Sequence, residues 1–239
     1  MLTGGPCAGK SSSLTHLTEE LKLEGFDVYV APEVATLVFN CGFAWPDDND
    51  PKRAAKISSF QTALFKLQLQ LERSMTVMAA ATGRPSIIIF DRGLMDGKRC
   101  MEPEWWKLLH DVAHEGRDIV LMGRDVSEDY ILQRYDGIIH MVTAADGAAS
   151  FYKHGDVVDD AGNQVFRREA PAEAVDLDHR TRRCWEDHPR HIVVDNTSAD
   201  NDNGMEGFRK KLRAATQAVL EIARQVHPQT ARDEDAVRV

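Results

Sequence analysis

The chain has 239 residues, and 38 acidic against 29 basic side chains give it a net charge of −9 and a sequence pI of about 5.5. That acidity argues against nucleic acid as a partner, and no apolar run or leader marks a membrane segment or a signal peptide. The cysteines at 7, 41, 100 and 184 are scattered without C-x-x-C spacing, which fits reduced thiols in a cytoplasmic protein and speaks against a disulfide frame or a zinc site.

Met1-Leu2-Thr3 can end a strand, and Gly4, Gly5, Pro6, Cys7, Ala8, Gly9, Lys10 and Ser11 then spell a complete G-x-x-x-x-G-K-S loop. Glycines let backbone N–H groups wrap a phosphate, Lys10 brings a point charge to the β and γ oxygens, and Ser11, with Ser12 beside it, offers a hydroxyl to Mg²⁺ at a helix N-terminus. A bound nucleoside triphosphate, ATP or GTP, is the expected ligand. Only three residues precede Gly4, so either the strand is unusually short or the sequence as given lacks its true beginning.

Leu14, Leu17 and Leu21 form the buried stripe of a first helix over 11–23, which Gly25 can close. Residues 26–30 read as a strand leading to Pro32-Glu33. A polar loop follows, and Asp50 with Pro51 can open a long helix whose Phe60, Leu64, Leu67, Leu71 and Met78 share one face and which Gly83 ends. The apolar, β-branched run at 86–90 has the composition of a strand covered on both faces, and it ends on Asp91-Arg92-Gly93. A helix with Trp105, Trp106, Leu108 and Leu109, a shorter one over 128–135 and a strand over 138–142 come next. An Arg-rich stretch over 166–183 precedes the strand at 191–194, and Phe208, Leu212, Val219 and Ile222 mark a closing amphipathic helix. The pattern is one α/β domain over 1–226 with a charged, disordered tail over 227–239.

Ligands of parallel sheets collect beyond the carboxyl ends of the strands. That rule selects residues 4–11, Glu33, Asp91 with Arg92, and Asn196. Asp91 stands where such enzymes place the acid that holds Mg²⁺, although an Asp there can also cap a loop. Arg92 can meet a phosphate or pair with Glu33. Glu33 can take a proton from an acceptor hydroxyl, bind a ribose hydroxyl or cap the next helix. Gln61 points toward the upper sheet edge, where it can read a base or an amide, and Asn196 can touch the nucleotide. Among Arg167, Arg168, Arg180, Arg182 and Arg183, one is expected to close over the transferring phosphoryl group, with Arg168 the first choice; the same residues could equally form a solvated helix face.

With those residues in place, the chain resembles the P-loop domain family shared by nicotinamide riboside kinase domains and the TRPL translocation defect protein. The resemblance rests on residues 2–10, Pro32-Glu33-Val34-Ala35, Phe60-Gln61, Asp91-Arg92-Gly93 with Asp96, Arg134-Tyr135-Asp136, residues 138–142 with 144–152, His188-Pro189 and Asp195-Asn196. It implies a three-layer α/β/α P-loop fold with a five-stranded parallel sheet of the nucleoside- or nucleotide-kinase type. It also implies Mg²⁺-nucleotide at the loop, Asp96 near the substrate, an Arg-rich lid between the fourth and fifth strands, and GTP as a candidate beside ATP. Two functions follow: a kinase moving the γ-phosphoryl group to a small-molecule hydroxyl, or a nucleotide-binding regulatory module with no such acceptor. The oligomeric state is not legible.

Overall fold

The computed structural model describes residues 1–100, 106, 107, 109, 126–158, 164–167, 169–196 and 205–226. In chain order they form β1 (Leu2–Gly4), α1 (Lys10–Leu23), β2 (Asp27–Ala31), α2 (Val34–Asn40), α3 (Arg53–Ala80), β3 (Ser86–Phe90), a 3₁₀ segment (Leu94–Cys100), α4 (Glu128–Leu132), β4 (Ile138–Met141), β5 (Gly155–Val158), β6 (Gln164–Arg167), α5 (Pro171–Arg183), β7 (His191–Val194) and α6 (Met205–Val226). Of the helix expected around 105–109, residues 106, 107 and 109 are described and helical; the rest, and the tail 227–239, lie outside the described residues.

β1, β2, β3, β4 and β7 pair in parallel but do not form the single five-stranded ladder expected. β1, β4 and β7 make one three-stranded sheet, with Thr3 opposite His140 and His140 opposite Val193. β2 and β3 make a two-stranded one, with Tyr29 opposite Ile88. A lone parallel bridge between Leu2 and Asp91 joins them, and the Arg92 N–H donates to the Leu2 carbonyl at 2.9 Å. The reason is local: β1 is three residues long, and Gly4, at φ 143°, already turns away into the loop. One further pair was not anticipated. β5 and β6 pair antiparallel just ahead of the stretch read as Arg-rich, β6 running into its first residues.

Helices pack on both faces of the strands. Leu17 and Leu21 of α1 and Ala215, Ala218 and Ile222 of α6 cover one face of Ile139 and Met141. Phe65 and Leu69 of α3, Ile131 of α4 and Trp185 cover the other, around Phe90 and Ile138. All of these are buried. The long helix starts later than Asp50 suggested. Asp50 instead holds the preceding turn, accepting from the Lys52 N–H at 2.8 Å, and Arg53 opens α3.

Candidate active site

The loop over residues 4–9 leaves β1 and enters α1 through two left-handed residues, Cys7 at φ 55° and Gly9 at φ 82°. Successive turns of this kind aim backbone N–H groups inward, into a concavity suited to an anion. Gly9 is the only residue type that fits its place, because a Cβ there would stand 2.6 Å from the ring of Phe208 on α6. Thr143, just past β4, donates its hydroxyl to the Pro6 carbonyl, and the Ala144 N–H donates to the Cys7 carbonyl at 3.2 Å. The loop is thus braced by the strand end beside it.

Lys10 is folded back on this loop, its Nζ 3.5 Å from the Gly4 carbonyl and 3.4 Å from that of Gly5. Burial, and next the neighbouring Arg92 guanidinium, bring its ammonium down to about 8. Arg92 follows Asp91 at the end of β3 in the left-handed region, at φ 71°, a conformation an arginine adopts only at a cost. Its side chain spans the site. Nε donates to Glu33 Oε1 at 2.6 Å and one terminal nitrogen to the Gly4 carbonyl at 3.2 Å, and that nitrogen lies 3.6 Å from Asp96. Its backbone carbonyl accepts from Gln68 at 3.3 Å.

Glu33 immediately precedes α2 but does not cap it with its side chain; it accepts from Thr36 at 2.9 Å instead. Burial works against its charge, yet Arg92, Lys10 and the Thr36 hydroxyl together hold its carboxyl down at about 2. Asp91 goes the other way, raised first by burial even against the pull of Lys10. Its Oδ1 is buried and has no hydrogen-bond partner among the described residues. An orphaned carboxylate oxygen beside a phosphate loop is the kind of atom a divalent cation or its water would satisfy, so the residues present fit Mg²⁺. Among the described residues no three His, Cys, Asp or Glu side chains form a metal cage by themselves.

A cavity of about 750 Å³ opens from Glu33 and Arg92. Phe39, Trp45 and Phe60 make part of its wall aromatic: Phe39 lies 5.3 Å from Phe60 and Trp45 meets Phe60 edge-on at 5.6 Å, and Phe43, outside the lining, stacks on Phe60 with ring centroids 4.4 Å apart. Gln61 and Gln68 of α3 line it as well, both buried.

Several expected residues stand elsewhere or do other work. Asp96 is buried and committed, accepting from the Thr3 hydroxyl at 2.7 Å and from the Trp185 indole at 2.7 Å. It supports Arg92 from behind while lining the cavity. The Asn196 amide reaches the Thr143 carbonyl at 2.8 Å and that of Asp146 at 2.7 Å, while Lys211 donates to its oxygen at 2.8 Å; it is a strut of the loop after β4. Among the described residues, no arginine of the expected lid lines the cavity. From that stretch the described lining is Glu169, Glu173 and Leu177; helical spacing puts Arg182 and Arg183 on another face of α5, where they line a separate groove, while Arg180, in phase with Glu173 and Leu177, stands one turn beyond them. Arg180 lies 2.9 Å from Asp176 on its own helix, off the line of a hydrogen bond. Arg168 lies outside the described residues. Sequence reasoning missed Arg99, which lines the cavity and donates to Thr181 at 2.8 Å. Its place seven residues after Arg92 was the one available signal.

A family model described as an AAA domain (AAA_28) matches residues 1–201. The chain belongs to that family. This AAA domain is a P-loop NTPase domain, which accords with the loop, Lys10 and Asp91 as found. No curated protein matches the chain. Among solved structures, deoxyadenosine kinase from M. mycoides with bound dATP is similar over 92% of this chain and 96% of that one, at 15% identity and a TM-score of 0.41. No helix among the described residues is long and apolar enough to cross a membrane.

Proposed function

We infer that this AAA domain is a phosphotransferase that moves the γ-phosphoryl group of ATP or GTP to a hydroxyl of a small acceptor, with Mg²⁺. The observation that carries the reading is the cavity beside the phosphate loop. It is lined by Glu33 and Arg92, next to the loop, and by the rings of Phe39, Trp45 and Phe60. A module that only sensed nucleotide would have no use for a deep, partly aromatic cavity at that point. The family that the sequence resembles holds both readings: its nicotinamide riboside kinase branch has a small acceptor, while the nearer likeness, to the TRPL translocation defect protein, favours the regulatory module.

The division of labour follows from charge. Residues 4–9 and Lys10 hold the phosphates; Lys10 must leave the Gly4 and Gly5 carbonyls to do so. Ser11 and Asp91 would hold the metal, which when bound neutralises charge on the β and γ oxygens. Arg92 adds a fixed positive charge at the junction of the two sites. Glu33, kept ionised at neutral pH, accepts a hydrogen bond from the acceptor hydroxyl and orients it; at a pKa near 2 it is a poor store for the proton. Phe39, Trp45 and Phe60 receive a flat, weakly polar acceptor body, and Gln61 offers it an amide.

The test is diphosphate release by the purified chain with Mg²⁺-ATP and Mg²⁺-GTP, alone and with a panel of nucleosides, nicotinamide riboside and other small alcohols. Strong stimulation by one acceptor establishes the phosphotransferase. Tight nucleotide binding with slow release that no acceptor changes sinks it and leaves a regulatory NTPase.

A further inference from the structure

The phosphate-loop motif leaves position 5 open, yet the chain puts glycine there, and its φ is not in the left-handed range. The reason lies in α5. A Cβ on residue 5 would stand 2.6 Å from Asp178 Oδ1 and 2.8 Å from its Cβ. Into the room left by the missing side chain the Asp178 carboxylate comes up against the loop backbone, and the Gly5 N–H donates to it at 2.6 Å. Asp178 is almost fully buried, on a helix whose sequence reads as a solvated face. Its remaining bonds are filled: the same oxygen accepts from the Thr143 N–H at 3.2 Å, and the other faces His140 Nε2 at 3.2 Å.

These contacts fix a single peptide plane from both ends. The Gly5 N–H points to Asp178, and the Gly4 carbonyl of the same peptide is the group that Arg92 and Lys10 approach. Turning that peptide over would break a bond to a buried carboxylate and remove the carbonyl on which both cations rest. Asp178 stays charged: burial disfavours the anion, but the His140 contact and the two backbone N–H donors outweigh it and hold its pKa below the usual range. Because a carboxylate only accepts, His140 must present Nε2–H to it, and the Nδ1 of that fully buried ring has no partner among the described residues. Lys211, whose charge is favoured by Asp178, adds a compensating cation.

We propose that Asp178 is a positioning residue for phosphate binding: from α5 it locks the Gly4–Gly5 peptide, and so sets where Lys10 and Arg92 stand when the triphosphate arrives. The proposal rests on the nucleotide-binding reading above. It also gives α5 a part in the site that none of its arginines supplies.

The test compares wild type with Asp178→Asn and Asp178→Ala. Two readouts are taken below the melting temperature of each variant: exchange of the Gly5 amide by NMR, and the dissociation constants of Mg²⁺-ATP and Mg²⁺-GTP. Loss of a charge-assisted bond predicts faster Gly5 exchange in both variants, about tenfold weaker nucleotide binding in the alanine form and a smaller loss in the asparagine form, which keeps an acceptor oxygen. A role confined to stability would lower the melting temperature and leave the affinity of the folded protein alone. Affinities within about twofold of wild type overturn the proposal. If the alanine form does not fold, the asparagine form decides: unchanged Gly5 exchange and unchanged affinity overturn it. Failure of the wild-type chain to bind either nucleotide sinks the nucleotide reading instead, and the Gly5 exchange comparison still decides whether Asp178 holds the loop.

Discussion

Arg92 Nε and Glu33 Oε1 meet at 2.6 Å across 59 residues of sequence, joining the end of β3 to the end of β2 on the wall of the aromatic-lined cavity. The pair holds an arginine in a left-handed conformation, keeps a carboxyl ionised far below neutral pH, and stands beside the carbonyl that also meets Lys10.

Glu33→Gln keeps an oxygen for Arg92 but removes the charge. Acceptor-dependent turnover should fall by about a hundredfold, with nucleotide affinity nearly unchanged. Steady-state rates at saturating nucleotide decide this. Turnover that survives the change would leave Glu33 with no part in the reaction beyond supporting Arg92.

Lys10→Ala removes the charge aimed at the phosphates, and triphosphate affinity should drop by about a hundredfold in calorimetry. The fold should lose little, since the ammonium rests only on loop carbonyls and its burial already disfavours its charge. Undiminished affinity would remove the loop from the nucleotide site.

Trp45→Ala takes one ring from the aromatic wall without touching Glu33 or Arg92. The expected result is an acceptor KM about tenfold higher at similar kcat, in line with the worth of a stacked aromatic contact. A matching fall in kcat at constant KM would place the acceptor elsewhere.

Lys211 gives a pH signature that does not depend on activity. It is buried, donates to the Val142 carbonyl at 2.6 Å, and burial lowers its pKa from 10.5 to about 8. Between those values the unfolded chain holds the proton more tightly than the folded one, so stability contributed by this group rises as pH climbs from 8 to 10.5 and is flat below 8. The full span corresponds to at most about 3 kcal/mol. Denaturant melts of wild type and Lys211→Met at pH 7.5 and pH 10 should show the rise shrinking in the variant; an unaltered rise would assign it to other groups.

The parts of the site that are local in sequence were legible in it. The phosphate loop is a contiguous pattern, and Glu33, Asp91 and Arg92 each stand one or two residues past an apolar strand, where the topology of parallel sheets puts ligands. Asp178 was not legible, because nothing on a polar helix announces a contact with a glycine 173 positions away. Asn196 was placed beside the nucleotide because it follows a strand, yet an amide there is equally suited to tying neighbouring loop carbonyls together. Arg182 and Arg183 show a similar gap: composition counts charges, and only the phase of α5, set by the burial of Ala174, Asp178 and Thr181, turns these two to a separate groove. The broken sheet follows from β1 being too short to carry a full ladder on both sides.

The ring of Phe208 filling the space beside Gly9 makes α6 one wall of the phosphate loop. Fraying of that helix would open the loop on the side where the ring belongs, so nucleotide held by the loop stabilises the docked helix, and loosening of the helix speeds the release of nucleotide.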